Sequence, residues 1–278
     1  MSPAPRPCRL RLSAAIDRYI ATDIRHKKTA AREILALRQF QRANPDLVAK
    51  PLARVNKRDV AAWRDRRLDQ VSGATVRREW SILSALFTCA SKVWGLELPA
   101  NPFHQVRRPP GNRPRRQRIS PAQCQMFLEA LDYRGQVLQS RHKVAWSFLF
   151  ALETACRKGE ILRLRPEDVH DGVLVLGESK NGDGRIVPLS PLARRLLGQV
   201  QLPLGLSAQS FDALFRRHRP PPLTHIHFHD TRHEALSRMA RKIANPMTLA
   251  KISGHRDLKI LLNTYYNPSE EDFAGLLD

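Results

Sequence analysis

Apolar residues at helical spacing mark much of the first hundred positions as helix. Leu12, Ile16, Tyr19 and Ile20 share one face of a predicted helix. Val76, Trp80, Leu83, Phe87, Ala90 and Trp94 form a second stripe at alternating steps of four and three, and both stripes read as core. Thr75, Arg77 and Arg78 stand at the start of that second helix, where backbone N–H groups and side chains can meet phosphate together. Farther along, the pattern predicts helices near 120–132, 142–154 and 234–243, with β-prone segments confined to about 173–189. Within that stretch Val173 to Leu176 is a short apolar run, and Asn181-Gly182 and Asp183-Gly184 are turn dipeptides. Arg185 to Leu189 returns as a second strand, so a hairpin is expected with Lys180 at its rim. Ser269 to Asp272 reads as a last helix start, with Phe273, Leu276 and Leu277 as its apolar face.

Between the two halves the periodicity disappears. Residues 107–118 hold prolines and six arginines (Arg107, Arg108, Arg113, Arg115, Arg116 and Arg118), which describes an extended basic linker able to lie along phosphates. Ser120 then reads as an N-cap, Pro121 as the first helical residue and Gln123 as the completing member of a capping box. The expected organisation is a helical domain over 1–106, the linker over 107–118 and a mixed domain over 119–278, each domain long enough to bury a core.

Charge narrows the partner. The chain carries 47 Lys and Arg against 26 Asp and Glu, a net +21. Residues 1–118 hold 26 basic and 9 acidic residues, net +17, whereas 119–278 hold 21 and 17, net +4. A field so concentrated in the N-terminal part points to a polyanion, although ribosomal or membrane-surface binding would share its sign. The N-terminus has no apolar signal core and no run reaches the roughly 18 apolar residues of a membrane span, so a cytoplasmic protein acting on DNA is expected. Cys8, Cys89, Cys124 and Cys156 are too scattered for a disulfide framework or a paired metal motif.

The chemistry lies in the last third of the chain. Arg157, Lys180, His229, Arg232 and His255 precede the tyrosine pair Tyr265 and Tyr266. A phenol with a reference pKa of about 10 becomes a useful nucleophile near neutrality where positive charge favours the phenolate. Arginine forks suit non-bridging phosphate oxygens, and lysine suits proton donation. Such a set fits breaking and rejoining of a phosphodiester through a covalent intermediate, without an external energy source. His225, His227, His229 and His233 cluster around Asp230 and raise a metal alternative, but no second ligand cluster accompanies them and Arg232 would repel a cation. Neither a metal nor another cofactor is expected.

Three motifs carry a family resemblance. Thr154-Ala155-Cys156-Arg157-Lys158-Gly159-Glu160, followed by spaced leucines, resembles the first arginine box of the tyrosine recombinases, the phage integrase family, with Ala155 where that pattern usually has glycine. His229-Asp230-Thr231-Arg232 resembles the His-x-x-Arg box, and Ile252-Ser253-Gly254-His255 the Leu-Gly-His box. In the family the nucleophile usually follows that last histidine by nine residues, which here is Thr264. Tyr265 is the smaller displacement and the first choice, with Tyr266 as the alternative.

The resemblance implies a mainly α fold with a small antiparallel sheet: a helical core-binding domain and a catalytic domain forming a C-shaped DNA clamp. It implies attack by Tyr265, a phosphate held by Arg157 and Arg232, proton handling by His229 and His255, and leaving-group protonation by Lys180. Glu160 and Asp230 are then the carboxylates that fix the clamp. The implied partner is double-stranded DNA with specific recombination sites, bound by a dimer per site and a tetramer in synapsis, with an accessory DNA-bending protein as a further possibility. In relatives the C-terminal segment often docks on a neighbouring protomer, and docking on its own chain is the alternative here. The motif blocks look similar to those of shufflon-specific DNA invertases, and the chain begins almost at once with the core-binding domain, which favours inversion or resolution over integration. Integration or excision, type IB topoisomerase-like relaxation and a catalytically inactive DNA-binding regulator remain the alternatives.

Overall fold

The computed structural model describes residues 9–111, 115, 117–177 and 184–266. Lys180, Arg113 and Arg116, and the expected last helix after Ser269, lie outside them. The chain divides into two compact units, residues 1–114 and 115–278.

The first unit is helical: α1 (Leu12–Tyr19), α2 (Ala30–Ala43), α3 (Pro45–Ala49), α4 (Lys57–Leu68) and α5 (Gly73–Lys92). The expected stripe on α5 is its buried face, with Val76, Trp80, Leu83, Phe87 and Ala90 joined by Leu86 and Cys89. Trp94 is not on that helix. The chain leaves the helix after Lys92, Gly95 takes a left-handed φ of 66°, and Trp94 packs edge-on to Tyr19 with the Arg18 guanidinium 4.3 Å from its ring centre. Ile20 begins a π-helical turn, Ile20–Ile24, rather than a fourth step of α1. The core is aromatic, with Trp63, Trp80 and Phe103 mutually 5.0–6.2 Å apart between ring centres. Arg107 and Arg108 belong to this unit: the Arg107 carbonyl accepts from Arg64 at 2.8 Å, and Arg108 donates to the Ser81 hydroxyl.

The second unit is mainly helical with one small sheet. Its helices are α6 (Pro121–Ala130), α7 (Ser140–Thr154), α8 (Lys158–Arg163), α9 (Pro191–Leu197), α10 (Ala208–His218), α11 (Asp230–Ala240), α12 (Pro246–Ser253) and α13 (Leu258–Tyr265). The Ser120–Gln123 capping box opens α6 as expected. α7 runs through the core, where Trp146, Phe148, Phe150 and Ala151 are fully enclosed and the Trp146 indole N–H reaches the Leu196 carbonyl at 2.6 Å. The hairpin pairs β2 (Val173–Leu176) with β3 (Arg185–Pro188), in the register Leu174 to Val187, and β1 (Val169–His170) adds a third antiparallel strand that periodicity did not reveal. α11 starts four residues ahead of expectation because the Asp230 carboxylate accepts the His227 N–H at 2.8 Å and holds the first turn. Among the described residues no helix is long and apolar enough to cross a membrane.

Candidate active site

Ala155 ends α7 in a left-handed conformation, φ 55°, and the turn places Arg157 at the N-cap of α8. The family pattern favours glycine there because glycine adopts this conformation without a steric cost. From the cap, the Arg157 backbone N–H donates to Glu160 at 2.7 Å and its guanidinium to the other carboxylate oxygen at 2.8 Å. Arg185 completes the arrangement. As the first residue of β3 it shares the inward face with Val187, donates to Glu160 at 2.7 Å and donates to the Ile252 carbonyl. Burial would raise the Glu160 pKa, but the Arg185 charge and the hydrogen bonds from Arg157 and Arg185 outweigh it and hold the carboxyl below its usual range.

Arg232 comes from α11 and is 3% exposed. Its guanidinium donates to the Ala155 carbonyl at 2.6 Å and to the Ser253 carbonyl, so the end of α7 and the end of α12 are tied to one cation. A small apolar cluster of Ala155, Ala235, Leu236, Leu249, Ala250 and Leu261 packs these elements and α13 together. Burial, then repulsion from Arg157 and Arg185, pushes Arg232 down to about 9, still cationic near neutrality. Three guanidiniums around Glu160 leave a surplus of positive charge that an anion would relieve.

Gly254 closes α12 with φ 69°, and a Cβ there would lie 2.9 Å from the Arg185 side chain. Gly254→Ala is therefore expected to destabilise the protein by about 1–2 kcal/mol, read as a lower thermal midpoint. The next residue, His255, shares a 2.7 Å hydrogen bond between Nδ1 and the Ser253 hydroxyl. Burial and the charges of Arg232, Arg157 and Arg185 push its imidazole down to about 4, so it is neutral near pH 7.

His229 is exposed immediately ahead of α11, its ring edge-on to His233 at 5.3 Å. Partial desolvation, His233 and Arg232 hold it below the usual histidine range. The two tyrosines part company. Tyr265 Oη lies 2.7 Å from His233 Nδ1, and burial pushes the phenol up to about 12 against the opposing pull of Arg232. Tyr266 instead donates to the Ile243 carbonyl at 2.5 Å, and burial raises its phenol.

Arg157, Glu160, Arg232, His229, His255 and Tyr265 thus converge. Asp230 serves elsewhere: 1% exposed, it accepts from Arg115 at 2.8 and 3.1 Å and anchors the start of α11, not Arg157 or Arg232. Arg118 is likewise engaged, with Glu234 at 2.6 Å, so Arg115 and Arg118 brace α11 where a free linker was expected. In the first unit Arg78, Arg107 and Arg108 are exposed, Thr75 pairs with Ser72 at 3.1 Å, and the Arg77 guanidinium covers Gly111. Among the described residues no three His, Cys, Asp or Glu side chains gather as a metal would require.

Sequence reasoning missed two members. The alternation along β3 puts Arg185 in phase with Val187 and was the available signal for it. Nothing local marks His233 as a partner of a tyrosine 32 residues away.

Comparison with known proteins bears on the family and the fold. The profile of the phage integrase family matches residues 117–225 and 205–272. An integrase/recombinase of Haemophilus influenzae is 33% identical over 276 residues, spanning 96% of this chain and 90% of that protein. The shufflon-specific DNA recombinase of Escherichia coli is 34% identical over 278 residues, spanning 93% and 70%. Among solved structures, lambda integrase (75–356), as a dimer bound to a COC′ core site, superposes with TM-score 0.74 at 20% identity over 96% of this chain and 98% of that one. Lambda integrase as a tetramer bound to a Holliday junction gives 0.73 at 18%, over 94% and 79%; at these identities the likeness speaks for the fold alone. Family profile, relatives, fold and the ordered residues Arg157, Arg232, His255 and Tyr265 meet in one conclusion: the chain belongs to the phage integrase family and is a tyrosine-type site-specific recombinase.

Proposed function

We propose that the protein inverts DNA segments between paired sites, as a shufflon-type recombinase, through a 3′-phosphotyrosyl intermediate on Tyr265. The observation that carries the chemistry is the division between the tyrosines: the Tyr265 phenol lies within the field of Arg232, whereas that of Tyr266 is turned to a backbone carbonyl. Inversion is supported by the 34% identity to a shufflon-specific recombinase across nearly the whole chain.

In this reading Arg157 and Arg232 hold the non-bridging oxygens of the scissile phosphate. The guanidinium fork suits them because it gives two parallel donors to one anion. His229 and His255, neutral near pH 7, serve as hydrogen-bonding and proton-handling groups. Lys180 protonates the departing 5′ oxygen. Glu160 and Arg185 fix Arg157 in place. Rejoining is the same displacement run with a different 5′ hydroxyl, so bond energy is conserved and positioning with charge supplies the catalysis.

The exposed Arg78, Arg107 and Arg108, with Arg113 and Arg116, meet backbone phosphates and make binding salt-dependent. The core-binding role falls to the first unit. A dimer on each site and a tetramer in synapsis follow the assemblies solved for lambda integrase. The protein acts in the bacterial cytoplasm, with a DNA-bending protein assisting synapsis.

The test is a plasmid carrying two copies of the recombination site in inverted orientation. Inversion of the intervening segment is expected. Integration of a circle at a single site without inversion would favour the integrase reading, and relaxation of supercoils without exchange would favour a topoisomerase.

A further inference from the structure

We propose that His233, through Nδ1, takes the phenolic proton of Tyr265 as the tyrosine attacks. This rests on Tyr265 as nucleophile and adds the destination of its proton. The contact is direct: Nδ1 and Oη are 2.7 Å apart, and among the described residues Nδ1 is the one hydrogen-bond partner of that phenol. With the ring proton on Nε2, Nδ1 is an acceptor and the phenol the donor.

The surroundings suit a base. From α11 the imidazole faces Asp230 and Arg232, with His229 edge-on. From the start of the second unit it faces Arg115, and from beyond α12 it acts electrostatically on His255. Enclosure, Arg232 and Arg115 hold it below the usual histidine range against the pull of Asp230, so it is neutral and able to accept near pH 7. His229, the histidine of the family motif, makes no hydrogen bond to Tyr265 among the described contacts, whereas His233 does.

The step balances. The Oη–P bond forms and the P–O5′ bond breaks, the Oη proton moves to Nδ1, and the departing O5′ takes a separate proton. On rejoining, a 5′ hydroxyl attacks the phosphorus and gives its proton back to the group that protonated the departing O5′, Lys180 in the proposed function, while the imidazolium returns its proton to the phenolate as the Oη–P bond breaks.

The experiment follows covalent adduct formation in a single turnover on a nicked suicide duplex carrying the recombination site, with the full chain. His233→Asn offers an amide oxygen to the phenol but cannot take its proton. Adduct formation is expected to fall by about 10²–10³-fold, with DNA binding and thermal midpoint kept. Replacing Tyr265 in that variant by a difluorotyrosine, whose phenol is more acidic, should restore much of the rate. The wild-type rate should also fall as pH drops through the lowered pKa of the His233 imidazole, and His233→Asn should lose that limb.

Adduct formation by His233→Asn within threefold of wild type would overturn the proposal. So would a slow variant that the acidic phenol fails to rescue, since that marks a structural role. If His233→Asn does not fold, His233→Gln replaces it; should neither fold, the wild-type profile decides, and a rate with no acid limb below the ordinary histidine range overturns the assignment. An adduct that persists in Tyr265→Phe would instead remove the nucleophile itself, a different failure.

Discussion

Arg232→Lys is expected to lower single-turnover cleavage by about 10²–10³-fold, the range for losing one preorganised donor to a developing anion. Charge is conserved in this substitution, so the loss reports geometry. Arg232 reaches two carbonyls, Ala155 and Ser253, that belong to different turns of the unit, and it does so with a pKa lowered to about 9 by burial and two neighbouring arginines. A lysine ammonium is a point donor on a flexible stem and cannot span both carbonyls while presenting a fork to phosphate. Each carbonyl left unpaired costs about 1–3 kcal/mol, so the thermal midpoint should fall as well. A cleavage rate within tenfold of wild type would show that charge alone, not the fork, is what the site uses.

Glu160→Ala carries the largest expected effect on stability. Its carboxylate is shared by Arg157, whose side chain is 40% exposed, and Arg185, whose side chain is 6% exposed. Removing it leaves the Arg185 charge buried beside Arg232, and breaking a buried pair from one side costs about 3–5 kcal/mol. Arg157 can relax into solvent, so its half of the arrangement contributes less. Cleavage should fall too, because Arg157 loses both bonds that fix it at the helix cap.

The sign with pH follows from the shift. The folded Glu160 has a pKa below its unfolded value, so its contribution is fully present above about pH 4.3 and is lost as pH falls through the lower folded value. In Glu160→Gln the thermal midpoint should therefore drop less between pH 6 and pH 3 than in the wild type. An equal drop in both proteins would mean that the carboxylate is not held by the two arginines.

What could be read in advance depended on whether the information was local. The α5 stripe and the Ser120–Gln123 capping box are encoded within a few turns and were legible. α4 was not, because Val60 and Trp63 alone are buried on a helix otherwise rich in charge, too few positions to show a period. Two-residue β1 is shorter than any alternation. Trp94 fits the α5 period, yet Gly95 behind it supplies the left-handed turn that takes the chain off the helix.

The site follows the same rule. Arg157, Arg232 and His255 sit in short motifs that make them candidates in the sequence itself. The ties of Arg232 to Ala155 and Ser253 span 77 and 21 residues, and that of His233 to Tyr265 spans 32, so they exist only once α7, α11, α12 and α13 have packed. The tyrosine choice rested in sequence on one residue of spacing, and the difference in surroundings, His233 beside Tyr265 and the Ile243 carbonyl beside Tyr266, exists only in the folded unit.

The central claim is that Tyr265 carries the DNA. Trapping the covalent complex on a nicked suicide duplex, digesting it and locating the nucleotide by peptide mass spectrometry addresses it directly. The expected result is a 3′-phosphate linked to Tyr265, with no complex formed by Tyr265→Phe and one still formed by Tyr266→Phe. A nucleotide on Tyr266, or a complex that persists in Tyr265→Phe, would contradict it.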